Sequence, residues 1–442
     1  MAYRALRVLI RLLLWLFYRR IEVVGGERVP AMGPVILVAN HHNALVDPML
    51  LVALCPRPIV ALAKAPLFRH PLIAPFLYLA GAVPVSRRLE GDDDPARNEA
   101  MFAAAVEALR RDRVLLIFPE GRSQPQPTLL PARTGAARIL LGAGSDAERV
   151  TLVPVGMVFD DPGTFRSAAV QVTIGEPVPT ADLIALHRER PVEAVRALTA
   201  RLEDAIRGRI VEAEDQYTLG LLAVVERAWS EQEARPGDAE ATLAWKQQVM
   251  RGARFLGERE PARVAALRQR AALYRAHLDE VGISSAQLGR PYTAGLVARY
   301  ALENAVWLAL GLPIALWGFA CHALPYWLTG RVVRLLHATE EEEATYKLAV
   351  GLLVYPACWT AEAWLAWRLG GVAGLLLFVV LVIPSGLLAL AWHERLGRVW
   401  RQARAFAWFL TDRALHDRLL AERRALVEEL RALGNLVPPD LR

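Results

Sequence analysis

The sequence predicts an α/β domain with a largely parallel sheet, followed by a helical domain and C-terminal membrane helices. Residues 21–179 alternate short apolar strands with helical stretches, which is the pattern of a parallel sheet with crossover helices. Residues 192–285 are rich in Ala, Arg, Glu and Leu and contain few strand formers. From residue 304 onwards the chain turns apolar, in stretches about long enough to cross a bilayer.

The composition is that of a protein lying partly in a membrane. The chain has 442 residues, of which 54% are hydrophobic, and its mean hydropathy of +0.25 is high for a soluble protein. The net charge of +6 suits anionic lipids or acidic substrates. Nucleic acid is not expected as a partner, since basic and aromatic residues are not interleaved in the helical region. Cys55, Cys321 and Cys358 are far apart and odd in number, so neither a disulfide framework nor a zinc cluster is indicated.

The N-terminal residues 1–20 are predicted to form an amphipathic helix at the membrane interface. An apolar run is broken by Arg7 and Arg11 and closed by Arg19 and Arg20. No small-residue cleavage site follows, and the run is short for a spanning helix. The arginines would favour the negatively charged cytoplasmic face of a membrane. The alternative is a helix packed into the core of the next domain.

The α/β domain is predicted over residues 21–185. Its candidate strands are short apolar runs bounded by polar residues: 21–24, 34–39, 59–63, 82–86, 114–118, 152–158 and 170–174. Candidate helices 96–111 and 132–141 lie among them. Open α/β sheets build their sites at the carboxyl ends of the strands, so polar residues that directly follow these runs are candidate site residues.

The stretch after the 34–39 strand carries His41, His42 and Asp47. A histidine paired with a carboxylate can hold one ring nitrogen protonated while the other takes a proton from a substrate. Two other roles are open at this point. Asp47 followed by Pro48 is a good helix N-cap. The three residues could also belong to a metal site, but no further His, Cys or Glu nearby completes such a site, so no metal is expected.

Other polar residues also follow predicted strands. Lys64, Arg87 and Arg122 supply positive charge, and paired guanidinium donors suit a phosphate. Glu120, Gly121 and Ser123 belong to the same loop as Arg122. Taken singly, each is an ordinary solvated residue at a strand end. Together with His41, His42 and Asp47 they are expected to converge on one site.

Four short motifs follow one another in this region. The first is a His followed by four residues and an Asp, from His42 to Asp47. The second is Gly followed by five residues and Arg, at residues 81–87, and the third is Phe-Pro-Glu-Gly, at residues 118–121. The fourth is Val-Pro-Val-Gly, at residues 153–156. Together these ordered motifs resemble those of the glycerol-phosphate acyltransferases of membrane lipid synthesis. The third motif departs from the family because the common Thr before Arg122 is missing.

The resemblance leaves the identity of the catalytic histidine open. A branch that includes glycerol-3-phosphate/dihydroxyacetone-phosphate acyltransferases is closer still, with the form Asn-His-Pro-Asn-x-Leu-x-Asp-Pro. In that branch the catalytic His directly follows the Asn, which is His41 here. This chain has His42 where the branch has Pro, so the spacing favours His42 and the neighbouring residues favour His41. We lean to His41 and keep both as candidates.

The resemblance implies a mechanism for the site. His41 or His42 would take a proton from the hydroxyl of a glycerol phosphate as it attacks an acyl thioester, and Asp47 would orient the imidazole. Arg87, with Lys64 and Arg122 as secondary contacts, would hold the acceptor's phosphate. Glu120, Gly121, Arg122 and Ser123 would form the acceptor-binding loop, in which a backbone N–H could also stabilise the oxyanion.

The predicted function is therefore a membrane-bound O-acyltransferase of phospholipid biosynthesis. It would transfer a fatty acyl group to glycerol 3-phosphate or dihydroxyacetone phosphate, with acyl-CoA or acyl carrier protein as co-substrate and no bound cofactor. Acylation of a 1-acylglycerol 3-phosphate is the alternative within the same chemistry. A non-catalytic membrane scaffold with an acyltransferase-like domain is the alternative of another class. The expected partners are membrane lipids, the thioester donor and the acceptor.

The C-terminal half is predicted to anchor the chain. A helical domain covers residues 186–300 and membrane segments cover residues 301–395. Within the latter we expect a hairpin over 348–392 that turns at Arg368 to Gly371, and a re-entrant or spanning segment over 304–330. Residues 396–442 are expected to form a charged helical tail. Arg-rich flanks place the catalytic domain on the cytoplasmic face, in the inner membrane of a bacterium.

Overall fold

The computed structural model describes residues 2–70, 73–85, 95–160, 165–166, 169–233, 238–288 and 294–439. The chain divides into two compact units. The first, which we call the α/β unit, comprises Met1–Leu219, Asp238–Gln247 and Thr339–Leu348. The second comprises Gly220–Gly237, Gln248–Ala338 and Ala349–Arg442.

A seven-stranded, largely parallel sheet forms the centre of the α/β unit. The strands, in chain order from β1 to β7, are Arg20–Val24, Val35–Ala39, Ile59–Lys64, Val83–Val85, Val114–Ile117, Thr151–Phe159 and Ala169–Ile174. Their order across the sheet is β1-β7-β6-β2-β5-β3-β4. Every neighbouring pair is parallel except β6 and β7, which run antiparallel. The predicted α/β domain is thus confirmed, and Ser86 of the predicted fourth strand lies outside the described residues.

The central strand β2 shows why this sequence forms a covered sheet. All five of its residues are buried. Val35, Leu37 and Ala39 point into one apolar core, and Ile36 and Val38 point into a second core. Since successive side chains of a strand face opposite sides, a continuous apolar run such as this one needs helices on both faces. The α/β unit therefore has three layers, with the sheet between two layers of helices.

Helices from across the first 207 residues make up those two layers. In chain order, α1 to α7 are Ala2–Phe17, Val46–Leu54, Ala74–Ala80, Pro95–Arg110, Gly135–Leu141, Ala181–Glu189 and Pro191–Arg207. Buried residues of α1 and α2 belong to one core, and those of α4, α5, α6 and α7 belong to the other. The unit extends past the predicted boundary at residue 185, because Leu198, Leu202 and Ile206 of α7 are buried in the second core.

Helix α1 has two apolar faces. Leu6, Ile10, Leu14 and Phe17 are buried in the first core, at the spacing of one helix face. In contrast, a second stripe of apolar side chains stays exposed, and it consists of Val8, Leu12 and Trp15. The alternative prediction, a helix packed into the core of the next domain, is therefore correct for one face of α1. Attachment of the other face to a membrane stays a prediction.

The second unit is helical throughout its described part. Helices α8 to α11 are Gln216–Glu233, Ala239–Arg259, Pro261–Val281 and Ser285–Leu288, and α8 and α9 each begin in the α/β unit. They are followed by α12, Ala294–Leu335, by α13, Glu343–Thr411, and by α14, Arg413–Leu436. Charged residues alternate with buried Leu419, Leu426 and Leu433 along α14, as expected for a helical tail packed on one side.

Two helices are long and apolar enough to cross a membrane, among the residues described. They are Ala298–Leu335 and Glu343–Trp408. The first is one continuous helix that contains Pro313 and Pro325, so no re-entrant loop is seen over 304–330. The second is interrupted at Gly371, whose φ of 59° and ψ of −148° are not helical. This break lies at the turn predicted between the two arms of the hairpin.

Candidate active site

Asn40 holds the beginning of the loop that carries His41 and His42 against the sheet. It directly follows β2, and its side chain is buried. Its amide donates to Met157 O at 2.8 Å, and its side-chain oxygen accepts from Met157 N at 2.7 Å. Because Met157 lies on the neighbouring strand β6, the loop that follows Asn40 leaves the sheet from a fixed point.

Asp47 folds back into that loop and pairs with His41. The distance from His41 Nδ1 to Asp47 Oδ2 is 2.8 Å. The same oxygen accepts from His42 N at 2.7 Å and from Asn43 N at 2.8 Å. The residue is fully buried, with 0% exposure. The carboxylate thus holds the loop and the His41 ring at once.

The alternative interpretation of Asp47 as a helix N-cap is wrong. Helix α2 begins at Val46, and the capping position is Leu45, which makes no side-chain capping bond. Asp47 lies inside the first turn, and its carboxylate points backwards onto residues 41–43. The three donors that meet at Oδ2 hold it there more strongly than a single capping N–H would.

The His41 ring is oriented for proton transfer. An ionised carboxylate only accepts, so Nδ1 carries the proton that it donates to Asp47 and Nε2 keeps its lone pair. The ring stacks on Phe118, with 4.1 Å between ring centroids and 17° between planes. The side chain is 13% exposed. A partly exposed imidazole in this tautomer, with its orientation held on two sides, has the form of a general base.

The His42 ring is in a different environment. Its Nδ1 lies 3.1 Å from Gln124 O, and the ring contacts Phe159 edge-on. Burial lowers the pKa of His42, which favours the neutral ring. Asp47 meets the backbone N–H of His42, not its ring. His42 therefore ties the loop to the segment that contains Gln124.

Glu120 joins the two loops of the site. It follows β5, and its carboxylate accepts from His41 N at 2.6 Å and from Leu130 N at 3.0 Å. Gln124 N donates to His41 O at 3.1 Å and so adds a second link. Glu120 is only 3% exposed, and both of its oxygens are occupied by backbone donors. These bonds let Glu120 stabilise the His41 loop. The role in acceptor binding that the resemblance implies stays a prediction.

Glu120 leads to a pH-dependent prediction. Burial raises the pKa of Glu120 to about 7 from an ordinary 4.5. Between pH 4.5 and about pH 7, Glu120 binds its proton more tightly in the folded protein than in the unfolded chain. The free energy of unfolding should therefore fall as the pH rises through this range. Glu120→Gln removes the titration. We expect the melting temperature of the wild type to drop more than that of the variant between about pH 5 and about pH 8. Parallel pH profiles for the two proteins would contradict this assignment.

Gly121 has a left-handed backbone and a close neighbour. Its φ is +74°, and a Cβ at this position would lie 2.9 Å from Arg133 Nε. A larger residue would therefore push the Arg133 side chain away. Gly121 N donates to Phe118 O at 3.1 Å within the turn. This N–H is therefore engaged within the turn, and stabilisation of an oxyanion by a backbone N–H of the loop stays a prediction.

A polar pocket of about 430 Å³ opens beside this loop. Its lining includes four of the residues predicted from sequence, namely Lys64, Gly121, Arg122 and Ser123. It also includes residues that the sequence did not indicate: Gln124, Pro125, Gln126, Arg133, Glu341 and Glu342. Gln124 is shared between the pocket and the His41 loop. Arg87, predicted to bind phosphate, lies outside the described residues.

Residues distant in sequence complete the α/β unit. Thr345 Oγ1 accepts a hydrogen bond from Leu45 N at 3.1 Å, across 300 residues of chain. No local pattern could indicate this contact, because Thr345 lies in the first turn of α13, next to the apolar stretch that the sequence predicts as a membrane segment. Arg133 was missed for a similar reason, since it follows no strand. Within the described ranges, no group of three or more His, Cys, Asp and Glu side chains is arranged to hold a metal ion.

Comparisons with known proteins agree with the sequence motifs. Residues 20–158 match the model of a family described as Acyltransferase. Among curated proteins, a 1-acyl-sn-glycerol-3-phosphate acyltransferase of Borreliella burgdorferi is 31% identical over 147 residues, which is 33% of this chain and 56% of that protein. Glycerol-3-phosphate O-acyltransferase 2 of Saccharomyces cerevisiae is 26% identical over 204 residues, which is 46% of this chain and 27% of that protein.

The matches extend over part of each protein. The chain spans little more than half the length of the Borreliella relative. Among solved structures, the 1-acyl-sn-glycerophosphate acyltransferase of Thermotoga maritima is similar with a TM-score of 0.33 and 23% identity. That match covers 45% of this chain and 80% of the other.

Proposed function

We propose that this chain, whose residues 20–158 form an acyltransferase-family domain, is a membrane-bound glycerolipid O-acyltransferase. It transfers a fatty acyl group from a thioester to the hydroxyl of a glycerol phosphate, and glycerol 3-phosphate or dihydroxyacetone phosphate is the proposed acceptor. His41 is the base and Asp47 orients it. The donor is acyl-CoA or acylated carrier protein, and no cofactor takes part.

The observation that supports this proposal most strongly is the His41–Asp47 pair. The 2.8 Å contact sets the tautomer of His41, while Phe118 and the backbone bonds to Glu120 and Gln124 hold its position. A binding module has no need of a buried carboxylate aimed at a partly exposed imidazole. This arrangement therefore favours the enzyme over the scaffold alternative.

The chemistry needs one proton transfer and one acyl transfer. Nε2 of His41 takes the proton of the acceptor hydroxyl while the oxygen attacks the thioester carbonyl carbon. The tetrahedral intermediate collapses as the C–S bond breaks, and the imidazolium returns the proton to the leaving thiolate. Asp47 stabilises the imidazolium in between. Products are the acyl ester and the free thiol, so no acyl-enzyme is needed.

The pocket is the proposed binding site of the acceptor. Lys64 and Arg122 present positive charge to it, and Ser123 adds a hydroxyl. A guanidinium and an ammonium in one polar pocket suit the phosphate of the acceptor. Holding the phosphate there would orient the substrate, and orientation of this kind contributes to the rate without altering the chemistry. We propose Arg87 as a further phosphate contact on the grounds of the second motif.

A second acceptor has specific support. The Borreliella relative is named as a 1-acyl-sn-glycerol-3-phosphate acyltransferase, and the yeast relative as a glycerol-3-phosphate O-acyltransferase. 1-Acylglycerol 3-phosphate is therefore the alternative acceptor. The two apolar helices support a membrane location, and we propose the inner membrane of a bacterium with the α/β unit on the cytoplasmic face. Membrane lipids and the thioester donor are the proposed partners.

Acyl transfer by the purified protein in lipid tests this function. Labelled glycerol 3-phosphate, dihydroxyacetone phosphate and 1-acylglycerol phosphate are offered in parallel, with acyl-CoA and with acylated carrier protein. We expect one glycerol phosphate acceptor to be acylated at least ~10²-fold faster by the wild type than by His41→Ala. Absence of transfer with every acceptor and both donors, in protein with a normal melting transition, would establish the scaffold alternative instead.

A further inference from the structure

The end of the connection between the two candidate membrane helices, together with the first residues of the second helix, belongs to the α/β unit. Residues Thr339–Leu348 cluster with that unit. Ala344 is fully buried in the core beside β2, and Leu348 packs against the same core. Thr345 Oγ1 accepts from Leu45 N, at the residue just before α2. The segment is therefore anchored on the loop that carries His41 and Asp47.

This anchor sets the position of two carboxylates. Glu341 and Glu342 lie four and three residues, respectively, before Thr345 and line the polar pocket. The next residue, Glu343, is occupied by an ion pair with Lys347 at 2.7 Å. Glu340, in contrast, is exposed and is not part of the pocket lining. The segment thus directs a defined pair of its four consecutive glutamates to the pocket.

The pocket holds opposite charges that do not neutralise one another. Lys64, Arg122 and Arg133 line it together with Glu341 and Glu342. Among the residues that the structure describes, these five form no ion pair with one another. The cations can therefore bind an anionic group of a ligand, while the carboxylates accept hydrogen bonds from a donor group of the same ligand. A phosphate alone would find two repulsive carboxylates in the lining.

We propose that Glu341 and Glu342 bind the unreacted hydroxyl of a glycerol phosphate acceptor while the cations hold its phosphate. The inference rests on the proposed function, and it names the acceptor class as a polyol phosphate with a second free hydroxyl. Glycerol 3-phosphate has such a hydroxyl. Dihydroxyacetone phosphate has a ketone in its place, and 1-acylglycerol 3-phosphate has only the hydroxyl that reacts. The segment therefore selects glycerol 3-phosphate.

The physical reason for selectivity is hydrogen-bond satisfaction. A carboxylate accepts strongly from a hydroxyl and repels a carbonyl oxygen that offers no proton. A site built to bond a substrate hydroxyl discriminates against the analogue that lacks it, because its own polar groups are then left unpaired. If Glu341 and Glu342 acted only through their negative charge, they would weaken the binding of every phosphate to the same extent.

Equilibrium binding separates these cases. Calorimetry in lipid nanodiscs, without acyl donor, measures the affinity of glycerol 3-phosphate and of 3-hydroxypropyl phosphate, which lacks only the second hydroxyl. We expect the wild type to prefer glycerol 3-phosphate by about ten-fold, one charge-assisted hydrogen bond in an open pocket. The double variant Glu341→Ala/Glu342→Ala should lose that preference. Taking the ratio cancels the general gain in phosphate affinity from removing negative charge.

Two further variants complete the test. Glu340→Ala removes a charge from the same segment outside the pocket and should keep the wild-type ratio. Glu341→Gln/Glu342→Gln retains side-chain volume and should reduce the ratio, which guards against misfolding of the double Ala protein. Equal ratios in wild type and both double variants would overturn the inference. Selective binding without acyl transfer to any acceptor would instead overturn the proposed function while leaving the hydroxyl site intact.

Discussion

Replacing His41 with Ala is expected to lower kcat for acyl transfer by about 10²- to 10⁴-fold, the range for loss of a general base. The reason lies in the environments of the two rings. His41 has the Asp47 carboxylate at Nδ1 and a partly exposed side chain. The His42 ring is buried against Phe159 and bonded to a backbone carbonyl. Steady-state kinetics with saturating donor measures the effect.

His42→Ala is the matched control for this prediction. It removes a buried ring and the bond to Gln124 O, so the melting temperature should fall. The proton acceptor remains, and kcat should stay within about ten-fold of the wild type in protein that is still folded. The opposite result, with activity lost in His42→Ala and kept in His41→Ala, would make His42 the base.

The second large effect is expected at Asp47. Asp47→Asn keeps the size of the side chain but places an NH₂ donor where the carboxylate has only acceptors. If the NH₂ faces His41, the ring takes the opposite tautomer and Nε2 carries the proton, so it cannot act as a base. We expect kcat to fall by about 10³-fold or more, with a smaller change in the KM of the acceptor.

The other orientation of the amide is also unfavourable. Its oxygen would then face the N–H groups of His41, His42 and Asn43, and the NH₂ would replace Asp47 Oδ1. That oxygen is buried and has no hydrogen-bond partner in the described part of the chain. Burying an unpaired NH₂ there costs about 1–3 kcal/mol. Thermal unfolding of Asp47→Asn should therefore show a lower melting temperature, and a variant with both wild-type kcat and wild-type melting temperature would contradict the role of Asp47.

Much of the fold was predictable because apolar patterning is local. The continuous run that became β2 and the strand that became β5 are buried on both faces, and such runs are recognisable in the sequence alone. The placement of Lys64 and Arg122 at a shared pocket also followed from the rule that parallel strands end at one edge. Neither inference needs any contact between residues far apart in the chain.

What the amino-acid order determined, then, is a parallel α/β sheet with a His-Asp loop at a strand end, and apolar helices after it. The tertiary structure decided which His meets the carboxylate, because His41 and His42 are adjacent in sequence and only the path of the loop separates their rings. It decided that Asp47 faces backwards as a loop anchor. It also brought Arg133 and the Thr339–Leu348 segment to the site. Contacts across 300 residues depend on how the whole chain packs, and no local periodicity records them.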